Sequence, residues 1–226
     1  MKKSKIFIFL IILSIIFIII FCFFSKKTYK ITSLGNNMSN KSSEEIKDYI
    51  LNISSYETIM DVEVMSNKNY NKYIINQKYA SPNIYKQEIV EPSNIKNLKI
   101  IYDGKDLKIE NTKLNLSELY ENYKCITENF LYLTSFIEDY KSEQTSTYTE
   151  ENNQIIMETK VSNIDSKYTT YKKLYIGKEN AKPIKMEIQD INKNILVNIL
   201  YNEIKINNTK GEDILAFRLN FIKSDI

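Results

Sequence analysis

Residues 173–207 read KLYIGKENAKPIKMEIQDINKNILVNILYNEIKIN and contain the clearest structural pattern in the chain. Ile184, Met186 and Ile188 alternate with polar residues, and a second alternating run begins at Ile195. A period of two places successive side chains on opposite faces of a β-strand. The polar residues 190–194 between the two runs favour a turn. The stretch therefore predicts two antiparallel strands with one buried face.

Strand patterns recur on both sides of this stretch. They occupy residues 60–65, 70–79, 85–90, 99–102, 107–110, 155–161 and 168–176, and a last run places Leu215, Phe217, Leu219 and Phe221 on one face. Asp103 and Gly104 form a strong turn signal inside one hairpin. About nine or ten strands follow, mostly joined by connections of hairpin length. We predict an antiparallel sheet with one buried face, large enough to curl.

Helices are predicted in two places. Ser42 and Glu45 have the spacing of a capping box, and Ile46, Tyr49, Ile50 and Ile53 follow at helical intervals. Residues 116–141 form the one long region without a strand pattern, which predicts two helices or one kinked helix. The expected fold is α+β: a curled antiparallel sheet, or half-open β-barrel, whose open mouth is covered by a helical lid.

The N-terminus has the pattern of a membrane segment. Residues 1–5 are basic, and residues 6–24 are apolar apart from Ser14, a length of roughly 28 Å as a helix. Two alternatives stay open. The segment is an uncleaved signal anchor, or Cys22 is the lipidated cysteine of a lipoprotein, although Phe21 departs from the small residue that normally precedes such a cysteine. We divide the chain into a signal peptide or anchor (1–27), a linker (28–41) and a folded domain (42–226), which both alternatives place outside the cytoplasm.

Composition excludes several classes of function. The net charge is only +3, from 31 basic and 28 acidic residues, so a concentrated basic face for nucleic acid is not expected. Histidine is absent, which excludes Ser-His-Asp and Cys-His catalysis and any histidine metal ligand. Catalysis by carboxylates alone stays open, but it requires a specific pair that the sequence does not show. We predict no enzyme activity, no metal site and no cofactor. Cys22 lies in the apolar segment, so no disulfide with Cys125 is expected.

The interior of the curl is the candidate site. Six apolar residues on the buried phase of alternating strands should point into it, namely Val62, Val64, Met186, Ile188, Phe217 and Leu219. The pattern alone does not distinguish a filled core from a hollow lipid-binding cavity. The glutamate pairs 44–45 and 150–151 are interpreted as capping and solvated residues, because adjacent side chains do not face each other.

Several segments resemble, in order and spacing, the LolA/LolB-like family of half-barrels with helical lids. They are YIINQKYASPNIYKQEIVEP (73–92), IIYDGKDLKIEN (100–111), the stretch 173–207 quoted above and the terminal LAFRL (215–219). The resemblance covers residues 43–221. Lys86 stands where the family usually has arginine, and the aromatic residue expected after the second segment is missing.

Within that family the chain looks most like the GerS-type germination lipoproteins of spore-forming bacteria. The features that carry this are the lysine-rich start, Cys22 and a composition typical of an AT-rich genome. The resemblance implies a non-catalytic protein that binds and enables a CwlD-like N-acetylmuramoyl-L-alanine amidase of the spore cortex during sporulation or germination. The alternative is a carrier of lipid or lipoprotein in the half-barrel, and a homodimer also stays open.

Overall fold

The computed structural model describes residues 41–66, 69–123, 130–162 and 169–215, all within one compact unit of the chain. Its helices are α1 (Ser43–Leu51), α2 (Leu133–Ser142) and α3 (Gly211–Leu215). Its strands are β1 (Ser55–Met65), β2 (Tyr70–Ala80), β3 (Ile84–Glu91), β4 (Lys99–Tyr102), β5 (Leu107–Asn111), β6 (Leu116–Tyr120), β7 (Thr147–Glu151), β8 (Gln154–Lys160), β9 (Tyr171–Gly177), β10 (Lys182–Gln189) and β11 (Ile195–Ile206). None of the helices among these residues is long and apolar enough to span a membrane.

The strands form one open 11-stranded sheet in the order β6-β5-β4-β3-β2-β1-β11-β10-β9-β8-β7. Every neighbouring pair is antiparallel. Strands β1 to β6 run as one meander and β7 to β11 as a second. The first and last strands pair at the centre, where Val62 lies opposite Ile199. The predicted antiparallel sheet is thus confirmed.

Helix α2 shows that the sheet curls. Tyr132, at its N-terminus, packs edge-on against Tyr85 of β3, with ring centroids 4.7 Å apart, and Asp139 pairs with Lys172 of β9. In a flat sheet β3 and β9, five positions apart, would be about 24 Å from each other. The seven helical steps from Tyr132 to Asp139 rise only about 10 Å. The two halves of the sheet therefore fold around the helix, as the half-barrel prediction requires.

Local signals in the sequence account for several elements. The capping box of α1 is present as predicted: the Glu45 amide donates to the Ser42 hydroxyl, and the Ser42 amide donates to Glu45. Gly104 adopts a φ of 93° in the predicted hairpin turn. Asp190 closes the β10–β11 turn by accepting from the amides of Asn192 and Asn194.

The prediction for residues 116–141 is wrong in its first part. Residues Leu116–Tyr120 form strand β6, and helix appears only at Leu133–Ser142. Asn115, with a φ of 50° in the left-handed region, turns the chain back so that β6 pairs with β5. Tertiary pairing with β5 thus makes a strand of a stretch that has no strand pattern of its own. Residues 124–129 lie outside the described part of the chain.

Three further expectations need correction. The nine or ten expected strands do not include β6 and β7. Ile184 does not share the buried face of Met186, because the β9–β10 register shifts between Pro183 and Lys185, and its side chain is 38% exposed. Leu215, predicted in a final strand, is instead the last residue of helix α3. At the start of that helix the Lys210 amide donates to Asp213. The rest of that predicted strand lies outside the described residues.

Candidate functional site

The predicted interior residues occupy neighbouring rows on the concave face. Val62 lies opposite Ile199, which in turn lies opposite Met186. In the next row Val197 lies opposite Val64 on one side and opposite Ile188 on the other. Val62, Met186 and Ile188 are buried, whereas Val64 keeps part of its surface exposed. Phe217 and Leu219 lie outside the described residues, as do Cys22 and the segment 6–24.

A row of tyrosines crosses the first half of the sheet. Tyr102, Tyr85, Tyr79 and Tyr56 stand on successive strands from β4 to β1, directly opposite one another, with ring centroids 5.0 to 6.3 Å apart. Tilted aromatic pairs at this spacing stabilise a sheet beyond the area they bury. The sequence pattern does not reveal this row, because it depends on the register between strands.

Polar side chains continue from this row into the core. The Tyr56 hydroxyl donates to Gln77 Oε1 over 2.7 Å and accepts from the amide of Leu133 over 3.2 Å. Gln77 Nε2 donates to Gln87 Oε1 over 3.2 Å. Burial raises the pKa of Tyr56 well above its usual value, so the phenol stays protonated. The chain of hydrogen bonds connects the start of α2 to the β1–β3 half of the sheet.

A buried ion pair connects α2 to the opposite half. Lys172 of β9 is 1% exposed, and its Nζ lies 2.6 Å from Asp139 Oδ2 and donates to Ser135 Oγ over 2.5 Å. Burial lowers the pKa of Lys172, and the Asp139 carboxylate opposes that shift. Asp139 Oδ1 also accepts from the amide and hydroxyl of Ser162. Helix α2 is thus bonded to both halves of the curl.

The interior around α2 is filled with side chains. Met186, Ile188, Leu174, Ile199 and Phe136 are each 0% exposed. A cavity wide enough for an acyl chain also admits water, so residues lining it would keep accessible surface. These residues keep none, which indicates a packed core over this part of the sheet.

The edge strand β7 is bonded to helix α1 through side chains, although four of its five residues are exposed. The Tyr148 hydroxyl donates to Glu44 of α1, and Ser43 donates to Glu150. Lys47 lies over the Tyr148 ring, 4.9 Å from its centroid. The hydrogen bonds from Lys47 and Tyr148 lower the pKa of Glu44, and those from Lys178 and Ser43 lower the pKa of Glu150. Helix α1 is therefore attached to this edge by side-chain bonds. Of the two glutamate pairs, Glu45 caps a helix as expected, while Glu44 and Glu150 make ion pairs.

The opposite edge strand, β6, is apolar and exposed. Its outer side has no neighbouring strand in the described sheet. Large apolar side chains on and beside it reach solvent, with exposed fractions of 58% for Leu114, 52% for Leu119, 46% for Tyr120 and 40% for Tyr123. Unpaired edges of this kind present free backbone donors and acceptors to another chain. We call residues 114–123 the β6 edge; it is the candidate binding site, and the sequence pattern does not predict it.

Some acidic side chains of the described residues make ion pairs and others make none. They form no group of three or more with histidine, cysteine or each other that is placed to hold a metal ion. The buried carboxylates belong to ion pairs, Asp139 with Lys172 and Glu187 with Lys185. Glu187 also accepts from Tyr175, whose pKa burial and the Glu187 carboxylate raise to about 12.

Comparison with known proteins gives structural neighbours only; no family model and no curated protein matches the chain. An uncharacterized conserved protein from Thermus thermophilus has a TM-score of 0.49 and 11% identity, with 77% of this chain and 93% of that chain covered. A chain in the structure of the CwlD amidase from Clostridioides difficile in complex with the GerS lipoprotein has a TM-score of 0.42 and 21% identity, over 74% and 92% of the two chains. A LolA superfamily protein from Nitrosomonas europaea has a TM-score of 0.39 and 10% identity, over 77% and 97%. The neighbours thus include a LolA superfamily protein and a GerS complex.

Proposed function

We propose that this protein is a non-enzymatic binding protein, tethered to the membrane by residues 6–24 and folded outside the cytoplasm. Its partner is a peptidoglycan amidase of the CwlD type, which it binds and enables during sporulation or germination. The tether rests on the length of the apolar segment, and the amidase on the sequence resemblance to the GerS-type branch. The binding role rests on the structure's own geometry.

The filled interior is the observation that carries this proposal. Helix α2 lies in the concave face, bonded to Tyr56 on one side and to Lys172 on the other. An acyl chain would have to displace this helix and break a buried ion pair, which costs several kcal/mol. The exposed β6 edge offers a protein partner apolar surface without any such rearrangement. A binding surface outside the curl is therefore favoured over a cavity inside it.

The carrier function keeps one observation in its favour. The Tyr201 hydroxyl is buried on the concave side and makes no hydrogen bond within the described residues. A buried hydroxyl without a partner is unfavourable, and a polar group of a bound molecule would satisfy it. Lipid extraction of the purified protein therefore belongs in the test.

The test combines the full-length protein with a CwlD-like amidase and purified peptidoglycan. We expect a stable complex, and faster release of stem peptides than with the amidase alone. Mass spectrometry of organic extracts should find no lipid at molar ratio. Equal amidase activity with and without the protein, together with no complex, would refute the proposal. One lipid per chain would establish the carrier function instead.

A further inference from the structure

The β6 edge has a defined pattern of side chains on its two faces. Register with β5 places Leu116, Glu118 and Tyr120 on the concave face, opposite Asn111, Ile109 and Leu107. Ser117 and Leu119 therefore point to the convex face. A strand added outside β6 would meet apolar, acidic and aromatic side chains in turn on one face, and a leucine on the other.

The acidic residue in this pattern has no counter-charge. Glu118 makes no ion pair with any described residue, and neither does Glu121, one position beyond the strand. By contrast, Glu110 on the neighbouring strand β5 pairs with Lys108 over 2.6 Å. Opposite charges directly across two antiparallel strands stabilise the pairing, and like charges destabilise it. The edge thus favours a basic residue at one position of an incoming strand.

We propose that β6 is the docking strand for an extended segment of the protein partner, which pairs with it antiparallel. The inference rests on the proposed binding function and specifies its surface. In this pairing the N-terminal end of the segment lies beside residue 120 and its C-terminal end beside residue 116. Its five residues are, in that order, apolar, apolar, lysine or arginine (opposite Glu118), polar and apolar. Backbone hydrogen bonds supply affinity in such strand addition, and the alternating side chains supply specificity.

A second copy of this chain fits the edge poorly. Antiparallel pairing of β6 with itself, in the register that matches all five residues, places Glu118 against Glu118. Two unpaired carboxylates would then face each other across the interface, where like charges repel. The charge pattern therefore favours a different, basic partner over a homodimer through this strand.

The experiment measures binding of two labelled peptides to the full chain in detergent micelles by fluorescence anisotropy. The probes are STVLKTITS, which has the proposed pattern, and STVLETITS, which reverses its charge. We expect the lysine peptide to bind wild type about fivefold to tenfold more tightly than the glutamate peptide. Glu118→Lys should reverse that preference. The control Glu151→Lys, on the opposite edge strand β7, should leave it unchanged.

Three outcomes of the peptide experiment would overturn the inference. They are equal affinity of wild type for both peptides, a preference unaffected by Glu118→Lys, and peptide binding that appears only after removal of residues 216–226 or on dissociation of a dimer. The last would show that this chain itself occupies the edge. An amidase complex that forms equally well with Glu118→Lys would place the partner elsewhere, so that the inference fails while the proposed function stands.

Discussion

The two edge strands of the sheet differ in how they meet solvent. Strand β7 carries polar and charged residues, and helix α1 binds its Tyr148 and Glu150 side chains. Strand β6 carries Leu119 and Tyr120 in the open, and its Glu118 has no ion-pair partner within the described residues. Natural sheets usually protect their edges with charge or with a covering element, because a bare edge invites pairing. The contrast is that helix α1 is bonded to one edge, whereas none of the described helices is bonded to the side chains of the other.

The same asymmetry extends into the core. On the β7 side, α2 is held by the buried pair of Lys172 and Asp139, and α1 lies against β7 and β8. On the β6 side, β4, β5 and β6 are strands of four or five residues. We therefore expect substitutions on the β7 side to change the free energy of unfolding, and those at the β6 edge to change binding.

The largest expected effect is that of Asp139→Asn. It leaves Lys172 buried without its counter-charge, which should lower the free energy of unfolding by about 3–5 kcal/mol. Urea denaturation of the full chain in detergent measures it. The double variant Asp139→Asn with Lys172→Met removes the buried charge and keeps an acceptor for Ser162, so it should recover most of the loss. An unchanged midpoint for the single variant would mean that water reaches the pair.

A smaller effect is expected from Ser42→Ala. It removes the capping box of α1 and should lower the free energy of unfolding by about 1 kcal/mol. Hydrogen exchange should also accelerate in β7, whose side chains are bonded to α1. The matched control is Ser117→Ala on β6, for which we expect less than about 0.5 kcal/mol. Equal losses in the two variants would contradict the difference between the edges.

The smallest effect on stability is expected from Leu119→Thr at the β6 edge. Because Leu119 is 52% exposed, the free energy of unfolding should change by less than about 0.5 kcal/mol. Binding of the amidase should nevertheless weaken. The matched change Tyr148→Thr on β7 loses the contacts with Glu44 and Lys47, and should cost about 1 kcal/mol without affecting the complex. A reversed pattern would mean that the partner binds at β7.

Some of the missed core residues were recognisable from the sequence. Lys172 stands two residues before Leu174 and four before Ile176, on the phase of β9 that is buried. Gln77 is likewise in phase with Ile75 and Tyr79. A polar residue on a buried phase requires a buried partner, so the pattern predicts a polar contact in the core. It does not identify Asp139 or Gln87 as that partner.

The sequence by itself determined what depends on near neighbours along the chain. The capping box spans four residues, the Asp103–Gly104 turn two, and the alternation of Met186 and Ile188 has a period of two. Only the tertiary structure decided which strands pair, because that depends on residues far apart: Ser43 binds Glu150 across 107 positions, and β1 pairs with β11. The same long-range pairing made Leu116–Tyr120 a strand where helix was predicted, and placed β6 and β7 at the two edges of the described sheet. Period and capping are set by local geometry, whereas edges and registers follow from the way the whole sheet closes around α2.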